Sequence, residues 1–377
     1  MNLYTRSIKL GIKNWLFRGK VLIIYGARQV GKTTLCKNIM SELSNDIVSR
    51  YYNCEDPLVA ENLIDKSADQ IFSFFDKASF VILDEAQSLP NIGRIIKIFH
   101  DAYPDVQIIA TGSSSFDLSN KINEPLTGRS LEFTLYPLSL HEVNENKTHL
   151  EKASCLSDRI IFGMYPEIVL ANKNDARMLL VDITKKYLFK DVFGFEGIKN
   201  SALVYKIIKA LAYQIGSEVS FIELSRLVGT SQHTIEKYID ILEKAYIIFR
   251  LPAFSTNQRK EIRKSQKIYF YDTGIRNAVI NSFDDIELRS DRGALLENVF
   301  LLELMKKDNL EGNFSQFYFW RTYDQQEIDI IIQKDNKIEA VEIKWSESKK
   351  RSKAPAFFQK TYPDSIFTTL SKNDLLL

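Results

Sequence analysis

The residues best suited to chemistry begin at Gly26-Ala27-Arg28-Gln29-Val30-Gly31-Lys32-Thr33, which fills every fixed position of the pattern G-x-x-x-x-G-K-[ST]. Glycines at the two ends let backbone N–H groups curl around an anion, and a following helix adds the partial positive charge of its N-terminus. Lys32 then suits the β- and γ-phosphates of a nucleotide, and the Thr33 hydroxyl suits Mg²⁺. Thr34 continues the same turn, so residues 26–34 are the expected ATP cradle. A second group follows at Phe80-Val81-Ile82-Leu83-Asp84-Glu85, an apolar run ending in two carboxylates. Asp84 is expected in the Mg²⁺ shell, and Glu85 is expected to polarise an attacking water.

Two polar groups further along fit the same chemistry. Thr111-Gly112-Ser113-Ser114-Ser115 ends an apolar run, and Ser113 is the chosen hydroxyl for sensing a γ-phosphate. Gly128-Arg129 offers a cation: Arg129 acts as an arginine finger, or it is a surface arginine satisfied by a nearby carboxylate. Acting in trans it implies a homo-oligomer; acting within one chain it does not.

Such residues need a sheet to hold them. Apolar runs at 20–25, 79–83 and 106–111 read as strands, and helical spacing at 32–43 and 92–103 reads as the helices between them. That alternation predicts a parallel sheet with both faces covered. Residues 151–245 read as almost wholly helical. Strands are expected near 246–254 and 267–271, separated by a polar, basic stretch at 255–266. A helix at 294–306 and strands at 317–320, 328–333 and 338–344 then close the chain in an α/β pattern. The expected domains are 1–150, 151–270 and 271–377.

Residues 26–34, Leu83-Asp84-Glu85-Ala86-Gln87, 111–115, Gly128-Arg129 and Leu135-Tyr136-Pro137-Leu138-Ser139 together resemble a prokaryotic family of AAA-type P-loop ATPases. The resemblance continues through Tyr165-Pro166-Glu167 and Tyr269-Phe270-Tyr271-Asp272-Thr273-Gly274 into a C-terminal domain of unknown function usually fused to that ATPase. It implies ATP binding and leaves the biological role open.

In the middle, a helix at 221–228, a turn at Gly229-Thr230 and a second helix capped by Ser231 resemble a winged helix-turn-helix. Gln232, His233, Thr234 and Lys237 would be its groove-facing side chains. Glu236, Asp240 and Glu243 make that helix less basic than a usual DNA reader. Arg259, Lys260, Arg263, Lys264 and Lys267 form a run suited to phosphates or to a solvated loop.

In the last third, Glu297 lies on a helix, Asp329 on a strand, and Glu342 and Lys344 on the next strand, where residues two apart share a face. Glu…Asp…Glu-x-Lys resembles the PD-(D/E)XK nuclease superfamily, in which carboxylates fix a divalent metal and the lysine activates water. Glu297, Asp329 and Glu342 are the candidate ligands, and Arg321 is a candidate phosphate contact. Alternating charge on an exposed strand would give the same local pattern. Lys349, Lys350, Arg351 and Lys353 suit nucleic acid or plain solubility.

Bulk properties narrow the field. The chain has 377 residues, 45% hydrophobic and 26% charged, with net charge +2, so composition alone makes no case for a nucleic-acid partner. Cys36, Cys54 and Cys155, with four histidines, show neither disulfide nor metal-site spacing. Apolar runs are strand-sized, far short of the ~18 residues a membrane span needs. A reducing cytoplasmic setting without membrane contact is therefore expected.

The combined expectation is an α/β protein. It has a P-loop NTPase parallel sheet, a helical and winged-helix middle, and a nuclease-like C-terminal α/β domain. Its expected cofactors are ATP and Mg²⁺, and DNA is the leading partner. The alternative is an ATP-switched scaffold that binds a protein and carries an inactive nuclease-like fold.

Overall fold

The computed structural model describes residues 4–112, 126–187, 192, 200–254, 266–322, 324, 326–346 and 353–376. The chain divides into two compact units. The first is Met1–Pro137 with Lys244–Tyr246, and the second is Leu138–Glu243 with Ile247–Leu377. The helical middle and the C-terminal sheet both fall in the second unit.

The first unit runs α1 (Ile8–Lys13), β1 (Val21–Tyr25), α2 (Lys32–Ser41), β2 (Ser49–Asn53), α3 (Pro57–Leu63), α4 (Ala68–Phe74), β3 (Phe80–Asp84), α5 (Ile92–Ala102), β4 (Gln107–Gly112) and β5 (Ser130–Thr134). The strands form a five-stranded parallel sheet in the order β2-β3-β4-β1-β5. Strands β1, β3 and β4 are buried at every residue, so their central positions read in sequence as apolar runs. Val21, Ile23, Val81, Leu83, Ile108 and Ala110 build the core on one face, with Ile71, Phe75 and Phe99 from the helices. Strands β2 and β5, at the two edges, are only half-buried and lack that signature.

Register explains where the polar residues gather. Leu83 pairs with Ala110 and Ile24 with Thr111, so Asp84, Thr111 and the residues after Tyr25 reach the carboxyl edge of the sheet together. Ligands of open α/β sheets bind at that edge.

In the second unit, helix Ser201–Tyr213, β6 (Glu218–Val219), helices Phe221–Val228 and Gln232–Lys244, β7 (Ile248–Pro252) and β8 (Gln266–Phe270) follow in order. The strands pair antiparallel as β6-β8-β7. Gly229, at φ +75°, ends the first of the two adjacent helices, a conformation that costs glycine little. Ser231 Oγ accepts from Thr234 N (3.2 Å) at the start of the second.

Helix Arg292–Glu311 then leads into β9 (Gln316–Arg321), β10 (Glu327–Lys334) and β11 (Lys337–Lys344), an antiparallel meander. Helix Ala356–Thr361 crosses to β12 (Ile366–Ser371), parallel to β11, giving the order β12-β11-β10-β9. Phe254 N donates to Phe319 O (2.6 Å), which joins this mixed sheet to the smaller one. Among the described residues no helix is long and apolar enough to cross a membrane.

Candidate functional site

The loop between β1 and α2 is held in a shape few residues tolerate. Gly31 sits at φ +97°, and a Cβ on Gly26 would lie 2.2 Å from the Leu135 carbonyl oxygen. Gln29 adopts φ +61° between them. Lys32 opens α2, is 5% exposed, and donates to the carbonyls of Gly26 and Ala27 (2.9 Å each). Arg28 reaches Glu55 at 3.9 Å. From the far side of the loop, Arg6 donates to Val30 O (2.7 Å) and Tyr136 O (2.6 Å).

Asp84, 3% exposed, is ringed by hydroxyls. Its Oδ2 accepts from Thr33 (2.7 Å) and Tyr51 (2.6 Å), and its Oδ1 accepts from Thr111. Burial, followed by the Asp84 carboxylate, pushes the Tyr51 phenol far up, so it stays a protonated donor. The Thr111 hydroxyl in turn accepts from Glu85 N (3.1 Å). Glu85 holds left-handed backbone angles (φ +52°), uncommon for a glutamate and the kind of outlier found at functional sites. Its carboxylate accepts from the Gln87 side chain.

These groups fit ATP and Mg²⁺. Gly26, Ala27, Arg28, Gln29, Val30, Gly31, Lys32, Thr33 and Thr34 form the loop and first helical turn that phosphates need. Thr33 and Asp84 form a hard-oxygen pair suited to Mg²⁺. A bound magnesium would neutralise phosphate charge. The chain's own part is to hold Asp84 with three hydroxyls and keep Glu85 at the same edge.

Two expected members remain to be placed. Ser113 lies outside the described residues. Arg129 lies at the opposite edge of the sheet: its carbonyl accepts from Val21 N, at the start of β1, and its guanidinium pairs with Asp101 (2.6 and 3.2 Å). With ~3.3 Å of rise per strand residue, it stands on the order of 15–20 Å from the phosphate loop and is no finger for its own chain. Tyr51, Thr111 and Arg6 are the functional neighbours that sequence reasoning missed. Thr111 alone left a signal, as a hydroxyl ending an apolar strand.

The C-terminal constellation is only partly assembled. Lys344 Nζ contacts Glu342 Oε1 on the shared face of β11, and Asp329 Oδ2 accepts from Ile343 N (2.7 Å). Burial, then Glu297 and Glu342, push the Asp329 carboxyl up to about 7. Glu297 does not join them as a ligand. It accepts from Lys267 Nζ (3.0 Å) and from the Tyr269 hydroxyl, while Lys267 also pairs with Glu327 (2.6 Å). Burial works against the Lys267 charge, yet Glu297 and Glu327 outweigh it and its pKa stands raised.

Among the described residues no group of three or more His, Cys, Asp or Glu is placed to hold a metal. The set Glu297, Asp329 and Glu342 therefore does not fit a metal as arranged. Two phosphate expectations change as well. Lys267 is 2% exposed and ion-paired, and Arg321 pairs with Glu218 (2.9 Å) and Glu327 (3.7 Å). Arg259, Lys260, Arg263, Lys264, Lys349, Lys350 and Arg351 lie outside the described residues. On the helix Gln232–Lys244, Gln232, His233 and Lys237 are exposed and Thr234 is half-buried.

A parallel sheet with this loop after β1 and this carboxylate after β3 is the architecture typical of P-loop NTPases. Residues 18–144 match the family described as an AAA domain. Residues 154–285 and 292–372 match two domains of unknown function, DUF8612 and DUF4143.

Among whole proteins, an uncharacterised protein of Methanocaldococcus jannaschii is 29% identical over 359 residues, covering 88% of this chain and 76% of the relative. One of Mycobacterium tuberculosis is 25% identical over 344 residues, 90% of this chain and 73% of the relative. One of Haemophilus influenzae is 25% identical over 274 residues, 70% of this chain and 65% of the relative, just under two thirds of its length. The ORC1 protein of Aeropyrum pernix, solved in complex with DNA, overlaps 80% of this chain and 95% of its own at 14% identity and a TM-score of 0.33. An overlap that low says nothing about what this chain binds.

Proposed function

We propose that this chain binds ATP with Mg²⁺, hydrolyses it, and uses the cycle to act on DNA. The observation that carries the ATPase part is the Asp84 carboxylate, held by the Thr33, Tyr51 and Thr111 hydroxyls beside the loop of Lys32. In this reading Lys32 takes the β- and γ-phosphates, Thr33 and Asp84 hold Mg²⁺, and Glu85 is the base for the attacking water. Ser113 senses the γ-phosphate. Residues 1–150 supply the ATPase, 151–270 the DNA contact, and 271–377 a nuclease-like fold.

DNA binding is supported by the exposed Gln232, His233 and Lys237 and by the sequence joining β7 to β8, which carries Arg259, Lys260, Arg263 and Lys264. ATP turnover by the purified protein, with and without duplex DNA across a salt series, tests it. Turnover rising with DNA, and binding that weakens steeply with salt, are expected. Turnover indifferent to DNA, with no binding, removes the DNA part and leaves the ATPase.

A second reading is an ATP-switched scaffold whose C-terminal fold does not cleave. The clamp of Lys267 and Tyr269 on Glu297 favours it. DNA cleavage in Mn²⁺ that disappears in Glu342→Ala would overturn it.

A further inference from the structure

Arg6 stands twenty positions before the phosphate loop in sequence, yet its guanidinium binds the loop's backbone. One nitrogen donates to Val30 O (2.7 Å) and another to Tyr136 O (2.6 Å). Arg6 is itself anchored. It precedes α1, whose Ile12 is fully buried, and α1 is fastened to α2 by Lys9 on Asn38 (3.2 Å) and Glu42 and by Lys13 on Glu42 (3.1 Å).

The contact with Val30 has a consequence for the next residue. A trans peptide is planar, with its C=O and N–H on opposite sides. A Val30 carbonyl fixed on Arg6 therefore turns the Gly31 N–H away from Arg6. Gly31 is a residue whose φ is free to change sign, and it sits at +97°. Without a restraint, the Val30–Gly31 peptide is free to rotate at its glycine side. The second contact, to Tyr136, fixes the same guanidinium to the segment beside the loop, where Leu135 N donates to Tyr25 O (2.7 Å) and a Cβ on Gly26 would strike Leu135 O.

We infer that Arg6 is a positioning residue for the nucleotide: its two-pronged contact locks the Val30–Gly31 peptide so that the Gly31 N–H stays in the phosphate cradle. This rests on the ATPase reading above. The fork matters as much as the charge, because a lysine ammonium does not reproduce two donors in fixed geometry.

The test is a titration of wild type, Arg6→Met and Arg6→Lys with an ATP analogue carrying a fluorescent ribose label, alongside steady-state turnover. Arg6→Met should raise Kd and KM about tenfold, the loss of one or two net hydrogen bonds, with kcat within about threefold. Arg6→Lys should recover little of that. Wild-type Kd in Arg6→Met, or full recovery in Arg6→Lys, would overturn the locking role. A merely structural role would lower the melting temperature and leave KM alone in protein still folded, an outcome that also overturns it. If Arg6→Met does not fold, the Arg6→Lys titration decides alone. Failure of wild type to bind the analogue would instead sink the ATPase reading.

Discussion

Lys32 in the first unit and Lys267 in the second are both almost wholly buried, at 5% and 2% exposure, and the protein uses them in opposite ways. Lys32 donates to two neutral carbonyls of its own loop, whereas Lys267 is paired with the carboxylates of Glu297 and Glu327. The carboxylates differ in the same sense. Asp84 is held by three neutral hydroxyls, and Glu297 by an ammonium and a phenol. A buried cation that donates to loop carbonyls can exchange them for an incoming phosphate. A buried cation already between two carboxylates has satisfied its charge within the fold. The first arrangement suits a ligand site, the second a structural joint.

The largest expected effect breaks or keeps that contrast directly. Lys267→Ala leaves Glu297, whose side chain is 13% exposed, without its cation and leaves Glu327 to Arg321, and should cost about 3 kcal/mol of folding stability. Nucleotide affinity should hold while the protein stays folded. Lys32→Ala should do the reverse, abolishing nucleotide binding with less than about 1 kcal/mol of stability change. Urea unfolding of both variants, read with nucleotide titration, checks this; equal stability losses would erase the distinction.

A second internal joint should show in pH. Burial raises the Asp272 carboxyl to about 6, against the hydrogen bonds it accepts from Met164 N (2.7 Å) and Ile275 N (3.1 Å). The folded state then holds that proton more tightly than an unfolded aspartate. Stability should therefore fall by about 3 kcal/mol as pH rises from about 4 to about 6. Asp272→Asn, less stable overall, should lose that slope. Parallel pH profiles for the two proteins would contradict this.

Smaller effects sharpen the ligand side. Tyr51→Phe removes one of three hydroxyl donors to Asp84, worth about 0.5–1.5 kcal/mol, so turnover should drop roughly 2- to 10-fold with stability near wild type. Unaltered turnover would make Tyr51 incidental to the site. Arg129→Ala breaks an exposed ion pair with Asp101 and should change stability by no more than about 1 kcal/mol, with turnover unchanged in dilute protein. A loss of turnover that grows with protein concentration would instead show Arg129 serving a neighbouring copy.

What was legible in the sequence follows the same physics. The phosphate loop and Asp84-Glu85 were readable because each position demands one residue type and because β1 and β3, buried on both faces, are continuous apolar runs. Tyr51 was hidden because β2 is a half-buried edge strand without an apolar run. Arg6 was hidden because it binds backbone carbonyls, which leave no pattern in side-chain types. Arg129 follows a turn in sequence, but β5 runs parallel to β1, and that places its first residue at the edge away from the loop. Lys267 looked like one more charge in a basic run, until the strand turned it inward between Glu297 and Glu327.

The most direct single measurement is ATP binding and single-turnover hydrolysis by wild type and Glu85→Gln. Equal binding, with hydrolysis at least about 100-fold slower in the variant, is expected of a site whose base is Glu85. Equal hydrolysis by the two proteins would contradict it.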